Sequence, residues 1–262
     1  MLHEYFILCF AAVLGGAVNS IAGGGTLLTF PALFAALGSA PAAAVIANAT
    51  STVALVPGSI AALVGYRREI REERHWAALL LAPSLLGGLV GSLLVVRLPA
   101  KWFAVAVPWL ILAAAVLFAL QPKIASWTGI GKAQAGPHTP RLAAAAVVFQ
   151  FLVGVYGGYF GAGIGILMLS SLAMIGLGDI HRMNAVKTLL ASAINGISVV
   201  VFVASGNVHW PFALAMAASA SVGGYLGART ARRFDKGAVR AIVVAIGFGL
   251  AAYYFYRQLF AG

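Results

Sequence analysis

Apolar residues run almost without interruption over about 4–37, 42–65, 76–97, 101–120, 141–177, 183–204, 210–229 and 238–257. At roughly 20 apolar residues per helical crossing of a bilayer, these runs predict membrane helices. No run alternates with period two, which argues against a β-barrel. Two runs are too long for one ordinary crossing: residues 4–37 would make a helix of roughly 50 Å at ~1.5 Å per residue. Both contain glycine clusters, Gly23, Gly24 and Gly25 in the first and Gly157, Gly158, Gly161, Gly163 and Gly165 in the second. Each therefore predicts a helical hairpin of two shorter helices around a break. The first run lacks the basic residues that open a secretory signal, with only His3 and Glu4 before it, and its broken pattern returns in mid-chain, so it is expected to be retained. The polar stretch 121–140, with three prolines and three glycines, predicts a loop between a membrane repeat at 1–120 and another at 141–262.

Composition narrows the class. The chain is 62% hydrophobic and 9% charged, with mean hydropathy +0.98, whereas a soluble domain carries roughly 25% charged residues. Eight to ten crossings of roughly 20 residues consume the 262 residues, leaving no room for a separate catalytic domain. The net charge of +11 would point to nucleic acid in a soluble protein; here it predicts basic loops retained on the cytoplasmic face of the membrane, with no nucleic-acid partner. The single cysteine, Cys9, excludes intrachain disulfides, Cys-rich zinc sites and cysteine-ligated iron–sulfur clusters. No metal, cofactor or catalytic residue is predicted.

The halves repeat each other. His75-Trp76 precedes Gly87, Gly88, Gly91 and Arg97, while His209-Trp210 precedes Gly223, Gly224, Gly227 and Arg233; the glycines and arginines are 136 residues apart. Pro57-Gly58 and Asn195-Gly196 fall at comparable places. Charge then bears on orientation. With eight single crossings, the loop cations divide eight against eight. With each long run folded as a hairpin, Arg67, Arg68, Arg71, Arg74, Lys123, Lys132, Arg141, Arg182, Arg229, Arg232, Arg233, Lys236 and Arg240 share one side, and only Arg97, Lys101 and Arg257 face the other. The second arrangement is what the positive-inside rule expects. Ten segments in two inverted repeats of about five follow, with both termini outside. Inverted repeats with broken helices are the pattern of secondary transporters, whose substrate sits near the midplane.

Candidate chemistry lies on the third helix of each half. Asn184, Lys187, Thr188, Ala191, Asn195 and Ser198 recur at spacings of three and four, which is one helix face. A lysine at that depth costs about 2.5–3.5 kcal/mol on insertion scales and should face protein or water. The first half offers Asn48, Thr50, Ser51, Thr52 and Ser59 without a charge. Helix starts near Gly25–Leu27 and Gly163–Ile166 would add backbone N–H groups and a favourable dipole. These features predict an anion site whose substrate-binding residues are Asn19, Gly24, Gly25, Thr26, Asn48, Thr50, Ser51, Thr52, Gly163, Gly165, Asn184, Lys187, Thr188 and Asn195. An alternative stands beside it: hydroxyls and amides also tie helices together, and Lys187 could reach back to the headgroups. His75 and His209 suit the membrane interface, and Asp179, His181 and Arg182 read as a polar turn ending a helix. No phosphate-loop signature occurs, so transport would draw on a gradient.

The segments AGGGTLLTFPALFAALG (22–38), ANATSTVALVPGSIAALVGYRREI (47–70) and GAGIGILMLSSLAMIGLGDIHRMNAVKTLLASAINGISVVVF (161–202) resemble those of the sulfite exporter TauE/SafE family, over about residues 6–256. The resemblance implies transport of sulfite, sulfonates or related small sulfur-containing anions across a bacterial inner membrane, often as export. The stretches Asn48-Ala49-Thr50-Ser51 and Asn184-Ala185-Val186-Lys187 are unequal, so the site is expected to be asymmetric. Two other readings stay open, a channel-like anion pathway and a membrane scaffold or assembly protein without substrate; an intramembrane enzyme lacks a catalytic set. The partners expected are a small anion and the bilayer, with a homo-oligomer left open.

Overall fold

The computed structural model describes residues 2–22, 24–38, 40–128, 140–177, 179–230 and 236–260. These residues form helices α1 (Leu2–Ala22), α2 (Thr26–Leu37), α3 (Pro41–Gly65), α4 (Arg67–Glu72), α5 (Arg74–Arg97) and α6 (Ala100–Thr128), then α7 (Pro140–Tyr159), α8 (Ile164–Met174), α9 (Ile180–Ala204), α10 (Trp210–Thr230) and α11 (Lys236–Phe260), and no strand is found among the described residues. Seven of the helices are long and apolar enough to cross a membrane, while α2 and α8 are apolar but shorter, with 12 and 11 residues. Large apolar side chains such as Phe10, Leu86, Trp109, Leu152, Tyr253 and Phe260 are exposed on many sides, as lipid contact requires. The chain is an all-α, multi-pass membrane protein.

Both overlong runs break at their glycines. α1 stops before Gly24, and the Gly24 and Gly25 carbonyls accept the first N–H bonds of α2 from Leu27, Leu28 and Thr29 at 3.0–3.1 Å. A Cβ on Gly25 would strike the Gly15 carbonyl, and Gly15 itself lies against Thr29, so α2 folds back along α1. In the second run Gly161 and Gly163 both adopt φ +81°, a left-handed conformation open to glycine at little cost. Tyr156 Oη donates to the Ala162 carbonyl at 2.7 Å and Asn48 Nδ2 to the Tyr159 carbonyl at 3.1 Å, pinning that break. Gly23 lies outside the described residues, as do Lys132, Arg232 and Arg233 of the basic loops.

Two expectations need correction. α6 continues through Pro122 to Thr128, so helix occupies the start of the expected loop 121–140, and Ile124 packs on the core; residues 129–139 lie outside the described part. Proline is tolerated there because membrane helices re-satisfy the freed backbone groups locally. Asp179 starts a helix rather than ending one. Its Oδ1 accepts the backbone N–H groups of His181 and Arg182 at 2.8 and 3.0 Å, capping α9. Those bonds, Arg182's foremost, hold its carboxyl below the usual carboxylate range.

The glycine groups found in the sequence form two matching crossings. α1 runs beside α10, where a Cβ on Gly223 would strike Val13, one on Gly16 would strike Ala220 and one on Gly227 would lie 2.7 Å from Ala17. α5 runs beside α7 with Gly87 on Phe151, Gly154 on Ser84 and Gly91 on Val155. Each contact in one set maps onto the other by shifts of 138 residues between α1 and α7 and 136 between α5 and α10. Without side chains at these points the backbones touch, which gives close van der Waals packing where lipid offers no hydrophobic drive. Along one row of each crossing residue numbers rise together, from Val13–Gly223 to Ala17–Gly227 and from Gly87–Phe151 to Gly91–Val155, so α1 runs parallel to α10 and α5 parallel to α7.

Buried side chains gather in two clusters. One centres on Phe30, whose ring meets Phe160 edge-on at 5.3 Å and stacks on Phe34 at 5.8 Å. The other gathers Trp76, Leu80, Val153, Met168, Met183 and Ile194 from α5, α7, α8 and α9.

Candidate functional site

Between the two clusters lies a cavity of about 470 Å³. Its wall comes from both broken hairpins and from the helices they pack against: the end of α1, the N-termini of α2 and α8, the second half of α3, the first half of α9 and the end of α10. Gly65 and Tyr66 at the end of α3 border it. At that same end of the molecule Arg182, near the start of α9, bridges to Glu72 at 3.3 Å and Glu73 at 3.0 Å, and Arg67, Arg68, Arg71 and Arg74 are exposed. The cavity therefore lies toward the basic end.

Lys187 stands seven residues into α9, about 10 Å of helical rise from its start. It is half-buried, borders the cavity, and donates from Nζ to Asn184 Oδ1 at 3.0 Å; Asn184 Nδ2 in turn donates to the Ile180 carbonyl at 2.8 Å. Among the described residues no carboxylate pairs with it. Around it Asn19, Thr26, Thr188 and Asn195 face the same space, and their side chains make no hydrogen bond among the described residues. By contrast Ser20, Ser59 and Ser221 spend their hydroxyl protons on carbonyls four residues back, at 2.8, 3.2 and 2.8 Å. The donors left open to the cavity are thus two amides, two hydroxyls and the remaining protons of one ammonium. Tyr66 adds a phenol; burial first, and then the nearby Glu69 carboxylate, raise its pKa above the ordinary value, so it keeps its proton. Gly24, Gly161, Ile164 and Gly165 bring the N-termini of α2 and α8 to the wall, where helix dipoles favour an anion.

Of the residues the sequence nominated, Asn19, Gly24, Thr26, Gly165, Lys187, Thr188 and Asn195 come together on this cavity. The others are used elsewhere. Asn48 holds the Tyr159 carbonyl, Thr52 returns to the Asn48 carbonyl at 2.9 Å, Ser51 bonds Thr29 at 2.6 Å, and Thr50 Oγ1 accepts the His209 N–H at 3.0 Å at the start of α10. Gly25 packs on Gly15, Gly163 faces Leu117 and Phe118, and Asn184 supports Lys187. Sequence reasoning passed over Tyr66, Ser221 and Tyr225, which also line the wall. The stripe Leu55, Ser59, Ala62 and Tyr66 carries the signal that would have found the α3 wall, since it continues the Asn48–Thr52 face at helical spacing.

These placements separate side chains spent on packing from those open to the cavity. Ser51→Ala removes a buried hydrogen bond and leaves the Thr29 hydroxyl with only its bond to the Gly25 carbonyl. It should lower stability by about 1–2 kcal/mol and leave the half-saturation concentration of any transported anion unchanged. A thermal melt in detergent and a transport titration on the same preparation check both halves of that expectation.

The profile of the family described as Sulfite exporter TauE/SafE matches residues 8–254. The chain is 28% identical to "Probable membrane transporter protein YfcA" of Escherichia coli (strain K12), over 94% of this chain and 87% of that protein. It is 28% identical to "Probable membrane transporter protein" of Haemophilus influenzae, over 92% and 90% of the two chains, and to "Probable membrane transporter protein ORF9" of Sinorhizobium sp, over 95% and 91%. No solved structure matches the chain.

Proposed function

The chain belongs to the sulfite exporter TauE/SafE family, and from that premise we propose that it is a secondary carrier exporting a small sulfur-containing anion, sulfite or an organosulfonate, across the bacterial inner membrane. The observation that carries this reading is the Lys187 ammonium, free of any carboxylate among the described residues and turned to a cavity of unsatisfied donors. A sulfonate or sulfite oxygen triad accepts hydrogen bonds and carries negative charge, which matches a site of one cation, amides, hydroxyls and two helix N-termini. Asn19, Gly24, Thr26, Gly165, Lys187, Thr188 and Asn195 form the binding set.

The repeats are inverted in this reading. α5 starts at the basic end beside α9, and α10 starts where α9 finishes, so α5 and α10 run oppositely; α1 follows α10 and α7 follows α5. Equivalent helices of the two halves then point in opposite directions, which supports the orientation drawn from loop charge. With the basic end in the cytoplasm both termini lie outside, and the cavity faces the compartment from which an exporter loads.

The test is counterflow of labelled sulfite in proteoliposomes, challenged with unlabelled sulfate, thiosulfate, taurine and sulfoacetate. Saturable exchange is expected, and the competition order names the preferred anion. Exchange with none of them overturns the assignment of substrate, and flux that rises without saturation overturns the carrier in favour of a channel.

A further inference from the structure

Lys187 has no counter-charge, and the cause runs along the whole chain. The six carboxylates are Glu4, Glu69, Glu72, Glu73, Asp179 and Asp235, and the five histidines are His3, His75, His138, His181 and His209. Every one lies outside the apolar runs or at the first residue of one. On the cavity wall the ionisable side chains among the described residues are Lys187, Tyr66 and Tyr225. The helices packed against α9 are α3, α4, α5, α7 and α8. α8 brings no ionisable group; α7 brings Arg141 at its start, Tyr159, and Tyr156, whose hydroxyl is spent on the Ala162 carbonyl. α5 has Arg74, His75 and Arg97 at its ends, and α3 ends beside Tyr66. α4 sets Glu69 near Tyr66, exposes Arg67, Arg68 and Arg71, and with Glu73 after it holds Arg182 through Glu72. A carrier with this inventory has Lys187 as its cavity amine and no carboxylate or imidazole at depth to move a proton.

The contacts of Lys187 accommodate Nζ with three protons or with two. Asn184 Nδ2 is fixed on the Ile180 carbonyl at 2.8 Å, so its Oδ1 is the atom turned to Nζ at 3.0 Å. A neutral amine still donates one hydrogen bond and keeps that partner, whereas a carboxylate in its place would lock the ammonium. Loaded with a monoanion, the ammonium belongs to a pair without net charge. Emptied, it stands alone on a wall shared with Leu55, Ile164 and Ala191, and Ile194, one turn beyond Ala191, is fully buried. An isolated ammonium enclosed in such surroundings is costly, and losing a proton removes the charge.

We propose that Lys187 carries the coupling proton, so that each monoanion is exported together with one proton and without net charge. The ammonium–anion pair turns to the release side and the anion leaves. Nζ then gives one proton to water there, and the neutral amine turns back and takes one proton from water on the loading side. One N–H bond breaks and one forms in each cycle. The inference rests on the carrier reading above and names its coupling ion. Exchange of one anion for another skips the deprotonation, since the site crosses loaded both ways; net export requires it. The membrane potential then neither drives nor opposes the net movement.

Lys187→Arg separates the charge from the proton, because a guanidinium holds its proton at least roughly a hundredfold more tightly than an ammonium and stays charged in proteins. Proteoliposomes are loaded with labelled sulfite in mildly acidic buffer, where it is mainly the monoanion bisulfite. They are diluted with or without unlabelled sulfite outside, which gives exchange and net efflux from one preparation, with protein-free vesicles as the blank. In the parent protein, net efflux should rise as the outside is made alkaline and should not respond to potassium–valinomycin potentials of either sign. In Lys187→Arg the ratio of net efflux to exchange should fall at least roughly tenfold, and the response to outside pH should be lost. A ratio equal to the parent's overturns the inference. So does parent net efflux that follows the imposed potential, a result that needs no variant to fold. Absence of exchange in the parent overturns the carrier reading and this inference with it, whereas exchange with the wrong net behaviour overturns the proton alone.

Discussion

Lys187→Ala is expected to weaken saturable anion exchange at least roughly tenfold while the protein inserts and purifies as a folded species. The ammonium is the one basic group placed within an apolar segment, and the other free donors in the cavity are neutral. Hydrogen bonds to charged groups contribute about 1.5–3 kcal/mol each, and every ~1.4 kcal/mol is tenfold in affinity, so removing the cation should raise the half-saturation concentration at least roughly tenfold and up to a hundredfold or more. Folding should not suffer. An apolar residue at this depth avoids the cost of about 2.5–3.5 kcal/mol that a lysine carries on insertion scales, and the bond lost is to Asn184, at the edge of the cavity. The measurement is labelled-sulfite counterflow against concentration, paired with the elution profile and melting midpoint of the same sample. A variant that exchanges as well as the parent would remove Lys187 from the site.

Gly158→Val should prevent the protein from accumulating in folded form. A Cβ at this position would collide with the Gly88 carbonyl and sit 2.9 Å from Gly88 Cα. Both partners are backbone within helices that touch along their length, so neither can turn aside as a flexible side chain would. Relief requires α5 and α7 to move apart, which also loosens Gly87 on Phe151 and Gly91 on Val155. Overpacking a well-filled interior costs typically about 1–3 kcal/mol and sometimes more; a backbone collision in the middle of a glycine crossing belongs at the upper end. Gly249→Ala is the control. Nothing lies within 4 Å of a Cβ there, and alanine in a helix interior is favoured over glycine by roughly 0.5–1 kcal/mol. Yield of monodisperse protein and its melting midpoint should fall sharply for the first variant and hold or rise for the second.

Much of the architecture is written in one dimension. Run length sets the helices because hydrocarbon admits only backbones that satisfy themselves internally, and Gly23–Gly25 and Gly157–Gly165 mark the breaks because a run too long to cross once must turn. The glycine groups 136 residues apart marked the repeat, and their contacts show why glycine is needed: Gly87 and Gly223 each meet a neighbouring backbone. Lys187 was legible as well, since a cation in an apolar helix has to find protein or water. Helical periodicity, however, assigns a residue to a face and is silent on what that face meets at each depth. Asn48, Thr52, Leu55 and Ser59 lie along one side of α3, yet its first half meets the Tyr159 carbonyl and its second half the cavity. Asp179 likewise reads as a turn in the chain, and only its bonds to the following N–H groups make it a start. Sequence by itself determined the long apolar helices, the breakage of the two overlong runs and the presence of a cation within an apolar helix, because those follow from the cost of polar groups in lipid. Only tertiary structure decided which amides and hydroxyls remain unspent around Lys187 and which half of the molecule is open, because both depend on where helices distant in sequence touch.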